Sequence, residues 1–150
     1  MAINSLFPRN SATRTQLATP LHYPEPVTRS DFRRLVADAL DSLPPEFLAR
    51  MENVAVTVED VPPEQRKRER MPAPRAERPR RLLLGVFVGT PATSRSVFAL
   101  PGGPARIVLY QKNIEAVCHS NAEIRHQVRL TVIHEVGHYF GMSEEQLRHV

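Results

Sequence analysis

The sequence predicts a single α+β domain. Three observations indicate this class: an amphipathic helical pattern near the start, three strand-like segments after it, and a long helical pattern near the end. A chain of 150 residues has room for one modest core. We expect the folded domain to cover residues 29–150, with a small sheet of three to four strands packed on the long helix. Residues 1–28, rich in proline and without periodicity, are predicted to be a disordered tail.

The first helix is expected to begin near Thr28 or Ser30, since either side chain can cap it. Apolar residues then recur at helical spacing: Phe32, Leu35, Val36, Ala39 and Leu40. Two consecutive prolines, Pro44 and Pro45, end the pattern. The segment is therefore predicted to bury one apolar stripe.

Three segments have the patterns of strands. Residues 53–60 alternate, with valines on one face, which is typical of a half-buried strand. Residues 82–88 form a continuous apolar run, which predicts the central strand of the sheet. A loop rich in glycine and proline over residues 89–105 leads to a third strand, residues 106–111.

A basic segment separates the first two strands, and residues 62–81 are predicted to be a flexible, proline-rich loop. Residues 64–81 contain eight basic and three acidic residues, so the rest of the chain carries a net charge of −1. The basicity therefore belongs to this segment and not to the whole domain. The segment could bind nucleic acid or an acidic partner, but a solvated loop is the favoured interpretation.

The C-terminal third is predicted to be helical. Asn113 can cap a short turn, and Asn121 can begin a long helix that runs to about Phe140. The apolar stripe of the long helix is Ile124, Val128, Val132 or Ile133, Val136, and Tyr139 or Phe140. Gly141 ends this helix, and Ser143 starts a last short one with Gln146 as its capping-box partner.

The end of the long helix has the residue spacing of a metal site. His134 and His138 lie one turn apart, about 40° around the helix, so one ion could meet both imidazoles at about 2.0–2.1 Å. Glu135 lies about 100° further round, where it could reach a water on that ion and act as a general base. Gly141 allows the chain to turn back, which would bring Glu144 towards the two histidines.

The stretch HEVGHYFGMSE, residues 134–144, resembles the zincin metallopeptidase pattern H-E-x-x-H-x-x-G-x-x-D/E. The chain as a whole resembles the short bacterial minimal zincin family over residues 29–60 and 81–147. The segments that carry the likeness are DFRRLVADALDSLP, NVAVTVEDVP, LLLGVFVGTP and IVLYQKNI, in that order.

The resemblance implies a minimal zincin-like fold and a zinc-dependent metallopeptidase. It implies His134, His138 and Glu144 as metal ligands and Glu135 as the catalytic base. The third slot is a departure, because the family usually has aspartate there. The extra methylene of Glu144 changes its reach, so Glu145 remains an alternative ligand.

Other side chains are weaker candidates for the site. Twelve residues follow His138, so the third ligand is expected to be Glu144, Glu145 or His149 from that segment, or an upstream residue such as His119 or His126. Tyr110 could donate a hydrogen bond to a developing oxyanion, although packing within its strand is the favoured interpretation. If the edge of that third strand is free, an extended peptide could add to it.

The expected activity is hydrolysis of a peptide or protein substrate with Zn²⁺ as cofactor, by a monomer that does not enter a membrane. Two alternatives remain: a non-catalytic zinc-binding module, and a protein that binds nucleic acid or an acidic partner through the basic segment. Cys118 is the single cysteine, which favours a reducing compartment. The start of the chain lacks the apolar region of a signal peptide, so we expect the cytoplasm.

Overall fold

The computed structural model describes residues 26–71, 81–94 and 104–148. Almost all of the predicted N-terminal tail lies outside these ranges. The helices are α1 Arg29–Asp41, α2 Pro45–Leu48, α3 Pro63–Glu69, α4 Gln111–Ala116, α5 Asn121–Tyr139 and α6 Glu144–Leu147. The strands are β1 Val54–Glu59, β2 Gly85–Val88 and β3 Ala105–Tyr110. The predicted α+β class with a small sheet is confirmed, and no helix in the described ranges is long and apolar enough to cross a bilayer.

The three described strands form one sheet in the order β1-β3-β2, in which β3 is parallel to β1 and antiparallel to β2. The prediction that residues 82–88 form the central strand is wrong. The strand itself is limited to Gly85–Val88, and it forms an edge of the sheet. The three leucines before Gly85 line a surface cavity, and of these only Leu84 also packs against the core, as a partly buried side chain. The condition for adding a peptide to β3, a free edge, is not met, because both edges of β3 are already paired.

The core lies where α5 packs against α1 and the sheet. Its buried members from these elements are Phe32, Val36, Ala39, Ile107, Leu109, Ile124, Val128, Val132 and Val136. The stripes predicted for α1 and α5 are therefore confirmed. Thr28 caps α1 by accepting from the backbone N–H of Asp31, and Ser120, one residue before the predicted position, caps α5.

Helix α3 corrects the prediction of a continuous loop over residues 62–81. Pro63 occupies the first helical position, where the missing N–H costs no hydrogen bond. The amide nitrogen of Asn113, which lies inside α4 and does not cap it, donates to Gln65 Oε1 at 2.9 Å and to the Leu83 carbonyl at 2.8 Å. This buried amide fastens α3 to the segment that precedes β2. Residues 72–80 of the predicted loop lie outside the described ranges.

The C-terminal end of α5 is anchored through the buried side chain of Tyr139. Its hydroxyl donates to the Arg50 carbonyl at 3.1 Å and accepts from the backbone N–H of Glu52 at 3.3 Å. Its ring also makes an edge-on contact with the ring of Phe87 on β2. These contacts fix the last turns of α5 against the sheet edge.

Gly85 allows β2 and α5 to approach closely. A Cβ at this position would stand 2.6 Å from Thr131 Cγ2 and 3.2 Å from both Glu135 Cγ and the Val108 carbonyl oxygen. We expect Gly85→Ala to lower the free energy of unfolding by about 1–3 kcal/mol, because the strand and helix would have to separate. Urea denaturation measures this loss, and unchanged stability would contradict the close approach. Thr131→Ser removes the nearest methyl group, so the double variant should recover part of the loss.

Candidate metal centre

The side chains of the predicted motif lie on two helices joined by a tight turn. His134, Glu135 and His138 project from the last turns of α5, and Glu144 is the first residue of α6. Gly141, between the helices, has φ +82°, a backbone conformation that costs an L-residue about 1–2 kcal/mol. This glycine therefore lets the chain reverse directly after α5, as predicted.

Helix α6 is held in place by its cap and by close packing. Ser143 Oγ accepts from the Gln146 N–H at 3.4 Å, and Gln146 Oε1 accepts from the Ser143 N–H at 2.8 Å, which confirms the predicted capping box. Leu147 packs directly over Gly137, since a Cβ at that glycine would clash with the leucine side chain. This packing brings the start of α6 back to the face of α5 that presents the histidines.

Three potential ligand atoms face one another. His138 Nε2 lies 2.9 Å from Glu144 Oε1, His134 Nε2 lies 3.3 Å from the same oxygen, and the two nitrogens are 3.1 Å apart. In a tetrahedral site with bonds of about 2.0–2.1 Å, ligand atoms are separated by about 3.3 Å. Two imidazoles and one carboxylate at this spacing fit zinc in both geometry and chemistry.

A backbone carbonyl sets the proton position of one histidine. His138 Nδ1 lies 3.2 Å from the Met142 carbonyl oxygen. Because that oxygen can only accept, Nδ1 carries a proton, which leaves Nε2 as the ring nitrogen that a metal ion would bind in the neutral imidazole. The turn after α5 therefore orients His138 and prepares the nitrogen that a metal needs.

Glu135 is 6% exposed and lies beside the edge of β2. Burial raises the pKa of its carboxyl group, although the charges of His134 and His138 and a hydrogen bond from the Phe87 N–H act in the opposite direction. The Tyr110 N–H donates to the Leu84 carbonyl, so strand alternation directs the backbone groups of Phe87 away from β3. The carboxylate is thus held by the outer edge of β2.

Glu144 is kept as a carboxylate by its neighbours. Partial desolvation acts to raise its pKa, but hydrogen bonds and charges from His134 and His138 outweigh this, and the pKa is lowered. The side chain itself is exposed at the surface. An ionised oxygen therefore lies between the two imidazoles.

A cavity of about 490 Å³ opens beside these residues. It is lined by His134, Glu135 and Glu144 at one end, and it continues along α5 to Gln127 and along the segment before β2 to Arg81. No role was predicted from the sequence for Gly85 or Phe87, and Arg81 was included only in the basic segment and not beside the metal centre. The sequence signal for Gly85 was its position as a lone glycine inside an apolar run, which often marks a place where another backbone or element packs closely.

Other candidates are not brought into the group. Tyr110 is 5% exposed, packs at the end of β3, and is not among the residues that line the cavity. Burial, followed by the charges of Glu59 and Glu64, raises its pKa. Tyr110 is therefore packed in the fold, as the favoured interpretation expected. The geometry gives no support to a role for it as an oxyanion donor.

The other candidate ligands are also apart from the three facing atoms. His119, His126 and Glu145 are exposed, and none of them joins the described group of potential ligands. His149 lies outside the described residues. The structure therefore brings together the three side chains that the motif selects, with Glu144 and not Glu145 in the third place.

A match to a protein family agrees with the motif. The family of zincin-like metallopeptidases matches residues 51–150. Among solved structures, the chain is similar to a conserved hypothetical protein from Thermo thermophilus, with 24% identity over 76% of this chain and 94% of that one, and a TM-score of 0.48. A search of curated proteins finds no match. The family match covers two thirds of the chain and includes all of the candidate centre, and the chain belongs to the zincin-like metallopeptidase family.

Proposed function

We propose that this protein is a zinc-dependent peptidase that hydrolyses peptide bonds in extended segments. One observation carries the proposal: His134, His138 and Glu144 direct three ligand atoms at one another across 2.9–3.3 Å, with Glu135 beside them in an open cavity. Zinc in such a site acts as a Lewis acid on a carbonyl group and lowers the pKa of a bound water towards about 7.

Glu135 has the environment of a general base. Because its pKa is raised by burial, it accepts a proton more readily than an exposed glutamate would. The hydrogen bond from the Phe87 N–H holds the carboxylate in one orientation. The side chain can take a proton from the attacking water and return it to the leaving amine.

The outer edge of β2 is the surface that would align a substrate. Gly85 lies on the strand next to Glu135, and its backbone N–H and carbonyl point away from β3. In the described part of the chain no strand pairs with this edge. An extended peptide can add there as a further strand, which would place its backbone along the cavity. Strand β2 thus takes the role that the sequence suggested for β3.

Metal removal tests the proposal. We expect the purified protein to contain about one zinc per chain and to cleave some members of a mixed-sequence, internally quenched peptide pool. Chelation should abolish the cleavage, and stoichiometric zinc should restore it. A zinc-loaded protein that cleaves no peptide would contradict the proposal and favour the non-catalytic zinc-binding module.

A further inference from the structure

We propose that this peptidase selects substrates with acidic side chains three to four residues from the cleaved bond, bound by Arg81 beside the basic helix α3. The proposal rests on the proposed function and adds a substrate class to it. It follows from the direction in which the cavity runs, from the side chains that line it, and from the position of α3.

The cavity runs from the metal ligands towards the N-terminal half of α5. The ring centroids of Phe87 and Tyr139 lie 5.8 Å apart, whereas Gly85 faces Thr131, two turns earlier on α5. Where they are in contact, β2 and α5 therefore run in the same direction. The residues that precede Gly85 lie beside the earlier turns of α5, which places Arg81 at the end of the cavity remote from the ligands.

The length of the cavity can be read from α5. Gln127 lines the remote end and His134 the metal end, and seven residues of helix separate them by about 10 Å. An extended peptide advances about 3.3 Å per residue. A side chain three to four residues from the cleaved bond therefore reaches the remote end.

The lining changes from apolar to cationic along this path. Leu83 and Leu130 are 48% and 37% exposed, and both lie in the cavity wall. Arg81 follows them, is exposed, and pairs with no acidic group among the described residues. The two carboxylates among the described cavity residues, Glu135 and Glu144, are at the opposite end, so the described lining of the remote end is positive.

Helix α3 extends this positive charge. The Asn113 amide bonds both Gln65 on α3 and the Leu83 carbonyl, so α3 lies directly beside the remote end of the cavity. Lys67 and Arg70 are exposed at the C-terminal end of α3, and in the described ranges neither forms an ion pair. Lys67 and Arg70 are not among the described residues that line the cavity, so they would add positive charge near its remote end without contacting the peptide there.

An acidic peptide suits these observations better than a nucleic acid does. Single-stranded nucleic acids bind along basic grooves by stacking their bases on aromatic side chains. Among the described residues, the wall of this cavity contains leucines, Gly85, Gln127 and Thr131 but no phenylalanine, tyrosine or tryptophan. An apolar stretch that ends in a cation fits a peptide with an apolar centre and an acidic end.

Matched peptides test the preference. We would prepare internally quenched peptides with one apolar centre and three consecutive Asp, Asn or Lys residues, placed three to five positions from it on either side. We expect the Asp peptide of one placement to exceed its Asn counterpart in kcat/KM by about 2- to 5-fold for each cation engaged. The ratio should fall towards one in 1 M NaCl, where the screening length is about 3 Å.

Charge reversal assigns the preference to a residue. Arg81→Glu should turn the preference from the Asp peptide to the Lys peptide. Arg33→Glu makes the same charge change on the exposed side of α1, at a different groove, and should leave the preference unchanged. Equal cleavage of all peptides, or an Asp preference that survives Arg81→Glu, would overturn the inference while leaving the peptidase activity established.

A binding measurement keeps the two proposals separable. Fluorescence anisotropy of the labelled Asp and Lys peptides with zinc-loaded Glu135→Gln reports selection without cleavage. Tighter binding of the Asp peptide, lost with the added Arg81→Glu change, supports the inference even if no substrate is cleaved. Equal binding of the two peptides, or tighter binding of a single-stranded oligonucleotide than of the Asp peptide, overturns it.

Discussion

Replacement of Glu135 by glutamine should lower kcat/KM for peptide hydrolysis by about 10²- to 10⁴-fold while leaving zinc bound. Glutamine has nearly the same shape, and its carbonyl oxygen can still accept the hydrogen bond that the Phe87 N–H gives to Glu135. It cannot take a proton from the attacking water. The measurement is kcat/KM with internally quenched peptides, combined with elemental analysis of zinc in the same preparation.

The matched control is Glu145→Gln. Glu145 is exposed, follows Glu144 on α6, and does not belong to the group of potential ligands. Its replacement removes the same charge close to the centre and should leave both hydrolysis and zinc content unchanged. If Glu135→Gln retained zinc together with full hydrolysis, Glu135 would not be the base. If the wild-type protein hydrolysed no peptide and Glu135→Gln kept its zinc and its other functions, the non-catalytic zinc-binding module would be the better description.

Replacement of His138 by alanine should weaken zinc binding by more than 100-fold and abolish hydrolysis. Loss of a partner that merely orients a ligand typically costs about 10- to 100-fold in affinity, and this change removes the ligand itself. It also removes the contact between Nδ1 and the Met142 carbonyl. Competition with a chromophoric chelator gives the zinc dissociation constant.

His126→Ala is the control for that variant. His126 lies on the same helix, is exposed, and is not among the facing ligand atoms. Both variants should melt within a few degrees of the wild type when zinc is absent, because neither histidine belongs to the buried core cluster. Unchanged zinc affinity in His138→Ala would show that other side chains hold the metal.

Local sequence patterns predicted the elements of the fold better than their arrangement. The alternation in β1 and the stripes in α1 and α5 arise within single elements, and these predictions are confirmed. The order of the strands is set by tertiary packing. A run such as residues 82–88 has the composition of a buried strand, yet its first part lines a cavity and the strand is limited to Gly85–Val88. Periodicity alone cannot distinguish these outcomes.

Helix α3 was missed for a different reason. The prolines and positive charges of the segment were interpreted as features of a loop, whereas Pro62 and Pro63 stand immediately before the helix and at its first position. Proline is favoured there, and Glu64 in the first turn complements the helix dipole. The sequence therefore contained the signal for the start of a helix, but the two prolines were interpreted as loop residues.

The candidate site was predictable where its residues are neighbours in the chain. Helix geometry fixes the relation of His134 to His138, and a glycine in the left-handed conformation allows Glu144 to return to them. The contacts of Gly85 and Phe87 with α5, and the position of Arg81, depend on how a distant strand packs against the helix. No local pattern specifies that packing.

All three facing ligand atoms come from eleven consecutive residues, 134–144, and none of these three side chains belongs to the core. Closing so short a segment around an ion constrains little of the rest of the chain. We therefore expect the scaffold of this protein to persist without a metal ion and to bind zinc without refolding. Zinc supply in the cell, and not the folding of new chains, would then decide how many molecules are able to act.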